Sequence, residues 1–241
     1  MHIDLNCDMG EGMSNDAALM PFITSANVAC GAHAGNEELM KRTVEICLLH
    51  NVYIGAHPSY PDKKNFGRVD LMGTEFSPKD IPEIISCQLE KMKAVCKTAA
   101  ATMHHIKLHG ALYNRAAWDE EVAHFVCDAI KSFDENLIVY GLSGSKMATV
   151  AAAHQLKFLH EVFADRTYQD DGSLTPRSQS NSLIEDEQIC LRQLKQMLVD
   201  KTVTTITGKS IPIVADTICI HGDGKHALRF AKLIQERLLT Q

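Results

Sequence analysis

The chain has 241 residues, 45% hydrophobic and 22% charged, with a formal net charge of −6. That composition suits a globular protein with a sizeable core, and its acidic balance argues against a nucleic-acid partner, which needs a basic footprint. No apolar run approaches the roughly 20 residues that cross a bilayer, so no membrane association is expected.

Ile3, Leu5 and Cys7 alternate with Asp4, Asn6 and Asp8, which predicts a strand over 3–8. Such a start does not read as a secretory leader. Residues 14–21 have room for a turn or two of helix. A second strand is expected over 25–30, then a helix over 37–50 with Asn36 as its N-cap. The third strand, 53–56, precedes a helix over 78–101, with Ser77 as cap and Pro78 in the first turn. Strands at 105–108, 137–141, 159–164 and 212–220 are followed by helices at 119–133, 145–154, 185–200 and 224–239.

Strands alternating with helices imply an α/β fold with a parallel sheet, and without a mid-chain Pro/Gly/Ser linker residues 1–241 read as a single domain. The sheet either closes into a (β/α) barrel or stays open and doubly wound. Six of the seven strands turn ionisable at the carboxyl end: Asp8 with Glu11, His33, His57, His109, Asp165 with Arg166, and His221 with Asp223. A surface sheet spreads charge along its solvent face, whereas a barrel gathers ligands at those ends. A barrel with seven parallel strands is therefore expected. Asp4, Asn6 and Asp8 would point inward, as would His105, Lys107 and His109, and Asp4 or Asp8 should pair with Lys107 because buried charge is costly alone. The eight cysteines are scattered, without a C-x-x-C pair, so reduced thiols in a cytoplasmic protein are expected.

Several groups carry candidate chemistry. Lys107 is either one half of a structural ion pair or an oxyanion stabiliser, with His109 moving a proton. His33 and His57 each follow a Gly-Ala pair. With Asp8 and His109 they are either plain loop residues or ligands for Zn or Mn. Arg166 and Arg177 belong to a polar segment that is either a surface loop or a lid whose arginines clamp a carboxylate or phosphate. Thr207-Gly208-Lys209-Ser210 ends like a phosphate-binding loop but has Val203 where that motif needs Gly, so it is rejected. Gly222-Asp223-Gly224 is too little to define a nucleotide site.

Six segments in order, IDLNCDMGEG, SANVACGAHAG, YIGAHPSYPD with NFGR, IKLHGALYN, EVFADRTYQDDGSLTPRSQ and CIHGDGKHA, resemble the LamB/YcsF family. The resemblance implies a seven-stranded (β/α) barrel related to glycoside hydrolase/deacetylase barrels. It also implies ATP-dependent opening of 5-oxoproline to glutamate, with ATP and Mg as cofactors and 5-oxoprolinase subunits B and C as partners. The family motifs fall on Asp8, Glu11, His57, Lys107, His109 and Asp165, taken as catalytic candidates. They also fall on Asn6, Asn27, His33, Arg166, Arg177, His221 and Asp223, taken as substrate-binding candidates. The competing expectations are a stand-alone metal-dependent deacetylase or amidohydrolase, with a transition metal on Asp8, His33 and His57, and a non-catalytic partner that binds 5-oxoproline.

Overall fold

The computed structural model describes residues 3–222 and 227–236. In chain order, β1 (Asp4–Met9) leads to the one-turn α1 (Asp16–Leu19), β2 (Ser25–Ala29) to α2 (Glu37–His50), and β3 (Tyr53–His57) to α3 (Ile81–Thr98). Next come β4 (Met103–Lys107), α4 (Gly110–Trp118), α5 (Glu120–Phe133), β5 (Ile138–Leu142), α6 (Lys146–Ala153) and β6 (Phe158–Phe163). The chain continues through α7 (Glu187–Lys195), β7 (Thr202–Thr204), β8 (Ser210–Pro212), β9 (Thr217–Ile220) and α8 (Ala227–Ile234). Strands β1 to β6 and β9 close a seven-stranded parallel barrel, with β9 hydrogen-bonded to both β6 and β1.

The helices start where local chemistry dictates. The Asn36 side chain accepts from Leu39 N–H at 2.9 Å, and Asp119 accepts from Glu121 and Val122, each meeting donors that a helix N-terminus leaves orphaned. Ser77 and Asp80 form a reciprocal capping box ahead of α3.

Two elements differ from the sequence expectation. Helix α4 is additional to the expected set; it abuts α5 with only Asp119 between them, although Ala-Leu and Ala-Ala-Trp are compatible with helix. The expected strand 212–220 divides, because Pro212 ends an antiparallel β7–β8 hairpin and only Thr217–Ile220 joins the barrel. The rejected Thr207-Gly208-Lys209-Ser210 motif lies at that hairpin's turn, not between a parallel strand and a helix. The last expected helix is described only over part of its length, since residues 223–226 and 237–241 lie outside the described residues.

The barrel interior is polar and connected. Asn6 donates to Thr217 at 2.7 Å, and Asn27 donates to both Asn6 and Asp8 at 2.8 Å. His105 hydrogen-bonds Asn27 Oδ1 at 2.8 Å and stacks on Tyr140 with ring centroids 4.1 Å apart. At the amino end Asp4 accepts from Ser25 and Thr217 at 2.6 Å, so it closes the floor, and of these two carboxylates it is Asp8 that meets Lys107. Leu5 and Cys7 pack in the hydrophobic core instead. All eight cysteines are free, and only Cys87 is exposed. Among the described residues no helix is long and apolar enough to cross a membrane.

Gly55 admits the His105 ring, since a Cβ there would overlap it. Gly55→Ala should therefore lower the unfolding free energy by about 1–3 kcal/mol, the usual cost of overpacking, measured by urea denaturation. An unchanged midpoint would show that His105 has room to move.

Candidate active site

Successive barrel strands carry their last inward side chains to one rim, and there the ionisable groups meet. Lys107, at the end of β4, is 2% exposed, and its Nζ lies 2.8 Å from Asp8 Oδ1 and 2.9 Å from Glu161 Oε1. Cys219 Sγ is 3.0 Å away. Burial opposes the charge on Lys107, but Asp8, Cys219 and Glu161 outweigh it and hold its pKa well above the usual lysine value. Burial would also raise the pKa of Asp8, yet His57 and Lys107 hold it well below the carboxylate range. Asp8 Oδ1 takes both Lys107 and Asn27, which leaves Oδ2 toward His57 Nε2 at 3.3 Å.

Beside this triad lie Glu11, His33, His57 and His109, all buried, with one ligand atom of each within 4.8 Å of the others. Their orientation comes from backbone. His57 Nδ1 donates to Lys107 O at 2.8 Å and His109 Nε2 to Phe66 O at 2.9 Å, because a carbonyl can only accept. Phe66 lies in the 58–68 loop, which is stitched to the end of β4 by His109 N–H to Pro58 O and Ala111 N–H to Gly67 O. Gly110 permits this closeness: its φ is +59°, and a Cβ there would collide with Gly67 O. Burial, then His57, lowers the pKa of His33 to about 3; burial, His57 and His33 push His109 well down, so both are neutral at pH 7.

A cleft of about 520 Å³ opens above these groups, with Asp8, Glu11, His57, Lys107, His109 and His221 on its walls. A more open hollow of about 770 Å³ beside α4 shares Arg68, Ala111, Asn114 and Trp118 with it but holds none of the clustered imidazoles. Its walls are thus less suited to chemistry than those of the cleft.

The expected site residues separate by position. Asn6 and Asn27 are fully buried beneath Asp8, and His33, 1% exposed, stands behind His109. Asp165 accepts from His221 Nδ1 at 2.9 Å. Its carboxyl, which burial would raise, is held below the usual range by His221 and Arg166. Arg166 is buried and commits Nε to Ser182 O and one terminal nitrogen to Thr175 O, whereas Arg177 is exposed on the cleft wall. Asp223 lies outside the described residues. The polar segment after β6 forms a wall of the cleft, held where Tyr168 Oη accepts from Phe163 N–H at 2.8 Å and where Thr167 bonds Thr175.

Two site residues escape a reading of the sequence. Glu161 is a second carboxylate on Lys107, and Tyr113 donates to Glu161 Oε2 at 2.7 Å. Glu161 shares the period-two face of Phe163, a cleft residue, so a carboxylate inside an apolar strand was the available signal. Tyr113 lies on the additional helix α4.

A closed seven-stranded parallel barrel with its ionisable groups at the carboxyl rim defines a (β/α) barrel of the kind that hosts enzyme sites. The chain belongs to the LamB/YcsF family, whose profile matches residues 3–241. It is 46% identical to the A component of 5-oxoprolinase from Brevibacillus brevis, over 98% of this chain and 94% of that protein. It is 42% identical to the protein of the same name from Tolumonas auensis, over 98% and 95%. Among solved structures, the lactam utilization protein from Thermus thermophilus superposes with a TM-score of 0.89 at 32% identity, covering 98% of this chain and 97% of that one.

Removing Lys107 leaves two carboxylates buried without their cation. Lys107→Met should lower unfolding stability by about 3–5 kcal/mol, and adding Glu161→Gln should recover part of that loss. Strictly additive effects in a urea-denaturation cycle would mean that the charges are uncoupled. The Asp165 carboxyl, depressed on folding, contributes stability that is complete above the unfolded value of about 3.9 and is lost as pH falls through the folded value. His221→Gln should raise the Asp165 pKa, read by carboxyl-carbon NMR titration, and move acid unfolding to higher pH. An unmoved titration would show that His221 does not stabilise the carboxylate.

Proposed function

We propose that this chain is the A component of a 5-oxoprolinase, which opens the lactam of 5-oxoproline to glutamate at the expense of ATP. The observation that carries the reading is the Asp8–Lys107–Glu161 triad on the floor of a cleft with an exposed arginine on its wall. The relatives named as 5-oxoprolinase A components and the solved lactam utilization protein support the same substrate class.

A lactam amide resists water because its nitrogen lone pair is delocalised into the carbonyl. Opening it requires a base for the water, stabilisation of charge at the carbonyl oxygen and a proton for the leaving nitrogen. With the carbonyl oxygen phosphorylated by ATP and later released as phosphate, Asp8 Oδ2 is the base that takes a proton from the attacking water, since Oδ1 is already held by Lys107 and Asn27, and that proton passes to the leaving ring nitrogen. The Lys107 ammonium, paired on two sides, stabilises the developing oxyanion through its field. Arg177 holds the substrate carboxylate, because Arg166 is committed to Ser182 and Thr175 carbonyls. In this reading ATP with Mg acts together with the partner subunits B and C.

The test mixes the chain with candidate subunits B and C and follows 5-oxoproline-dependent ADP release and glutamate formation, omitting each component in turn. Turnover should require every component. Asp8→Asn should lower kcat by about 10²-fold or more, and Arg177→Ala should raise KM about tenfold with little change in kcat. Hydrolysis by the chain alone without ATP would sink the reading and favour a stand-alone hydrolase. Glutamate formation undiminished in Asp8→Asn would remove the catalytic role and favour a binding partner.

A further inference from the structure

Lone pairs meet in the imidazole cluster without enough protons to separate them. With Nδ1–H of His57 given to Lys107 O and Nε2–H of His109 given to Phe66 O, the remaining nitrogens, His57 Nε2 and His109 Nδ1, face each other at 3.0 Å. Both are acceptors when the rings are neutral. Glu11 Oε1 brings a third acceptor to 3.3 Å from His109 Nδ1. The two imidazole nitrogens repel one another at this distance unless a cation, either a metal ion or an extra proton, lies between them, and the Glu11 carboxylate stands within reach of that point.

We propose that Glu11, His57 and His109 bind one divalent transition-metal ion of the zinc class at the barrel mouth, with a coordination position open to the cleft. Two imidazoles and a carboxylate are a donor set that zinc accepts with a fourth position left for water or substrate, and imidazole nitrogen discriminates against Mg²⁺. The spacing fits. Metal–ligand bonds of about 2.0–2.1 Å in a tetrahedron place donors about 3.3–3.4 Å apart, beside the 3.0 and 3.3 Å separations here. The His57 and His109 rings stand at 88° to each other, so their lone pairs converge from different directions. Each ring is also fixed by a backbone carbonyl on its far nitrogen, the outer support that metal-bound histidines ordinarily have.

The geometry divides these residues from their neighbours. His33 is stacked parallel to His109, with centroids 3.8 Å apart and planes within 5°, so the lone pairs of the two rings run side by side and do not meet. His33 Nε2 instead lies 3.2 Å from Glu11 Oε1 and its Nδ1 has no hydrogen-bond partner among the described residues, which makes it a positioning residue for Glu11. Asp8 commits Oδ1 to Lys107 and Asn27, and its Oδ2, 3.3 Å from His57 Nε2, is kept for the water beside the metal. The ligand set thus differs from the Asp8, His33 and His57 set expected for a metallohydrolase. A metal here would polarise a carbonyl or lower the pKa of a bound water, next to Asp8 Oδ2.

The metal site does not depend on the lactam reading, and its test needs neither partner subunits nor 5-oxoproline. The full-length chain, stripped with a chelator, is titrated with Zn²⁺ by calorimetry and, after desalting, analysed for bound metal; Co²⁺ serves as a spectroscopic probe. One equivalent of Zn²⁺ should be retained, Co²⁺ should give the visible bands of a low-coordinate nitrogen–oxygen site, and excess Mg²⁺ should displace neither. His57→Asn and His109→Asn should each weaken binding by at least about 100-fold and His33→Asn by about 10-fold, while His124→Asn on α5 should have no effect. Circular dichroism checks that each variant is folded, and Glu11→Gln, which keeps shape and removes charge, serves if either histidine variant is not. A folded wild-type chain that retains no Zn²⁺, or unchanged affinity in folded His109→Asn or Glu11→Gln, would overturn the site and leave a shared proton between His57 and His109.

Discussion

The ammonium of Lys107, enclosed by the barrel and placed between Asp8 and Glu161, is the interaction on which the site depends. At about 3 Å and an effective dielectric of about 20, one such pair attracts by roughly 5–6 kcal/mol, while desolvation costs several kcal/mol for each ion. The pair alone comes close to cancelling. The balance is shifted by neutral donors that complete each carboxylate, Asn27 at Asp8 and Tyr113 at Glu161. Those donors come from β2 and α4, so closing the barrel and stabilising the charge are a single event.

A second constraint follows from the parallel topology. Every strand ends at the same rim, and the loops leaving it are free to fold back over one another. The 58–68 loop uses that freedom to bring the Phe66 carbonyl to His109, while the Lys107 carbonyl does the same for His57. Backbone oxygen therefore decides which ring nitrogens face the cleft. Two imidazoles, one from β3 and one just past β4, are thus oriented by main chain from a strand end and a loop.

The interior of the barrel is legible in the alternation of Asp4, Asn6 and Asp8 and of His105 and Lys107, because period two forces those side chains to one face. The ordered motifs of the family made the cleft legible too. Glu161 escaped because a single carboxylate in Leu-His-Glu-Val-Phe carries no local sign of its partner, Lys107, 54 positions earlier in the chain. Helix α4 escaped because its residues follow a strand-like motif directly. The β7–β8 hairpin escaped because two three-residue strands leave almost no periodicity to read.

What the sequence determined by itself was the family, the strand–helix rhythm and the delivery of acids, imidazoles and a lysine to strand ends, all of which follow from local periodicity and motif order. Tertiary structure alone decided the pairings: Lys107 with Glu161 as well as Asp8, His57 against His109, Arg166 turned into the loop and Arg177 left on the wall. These depend on angstrom-scale distances between residues far apart in the chain, and such distances exist only once the barrel has closed.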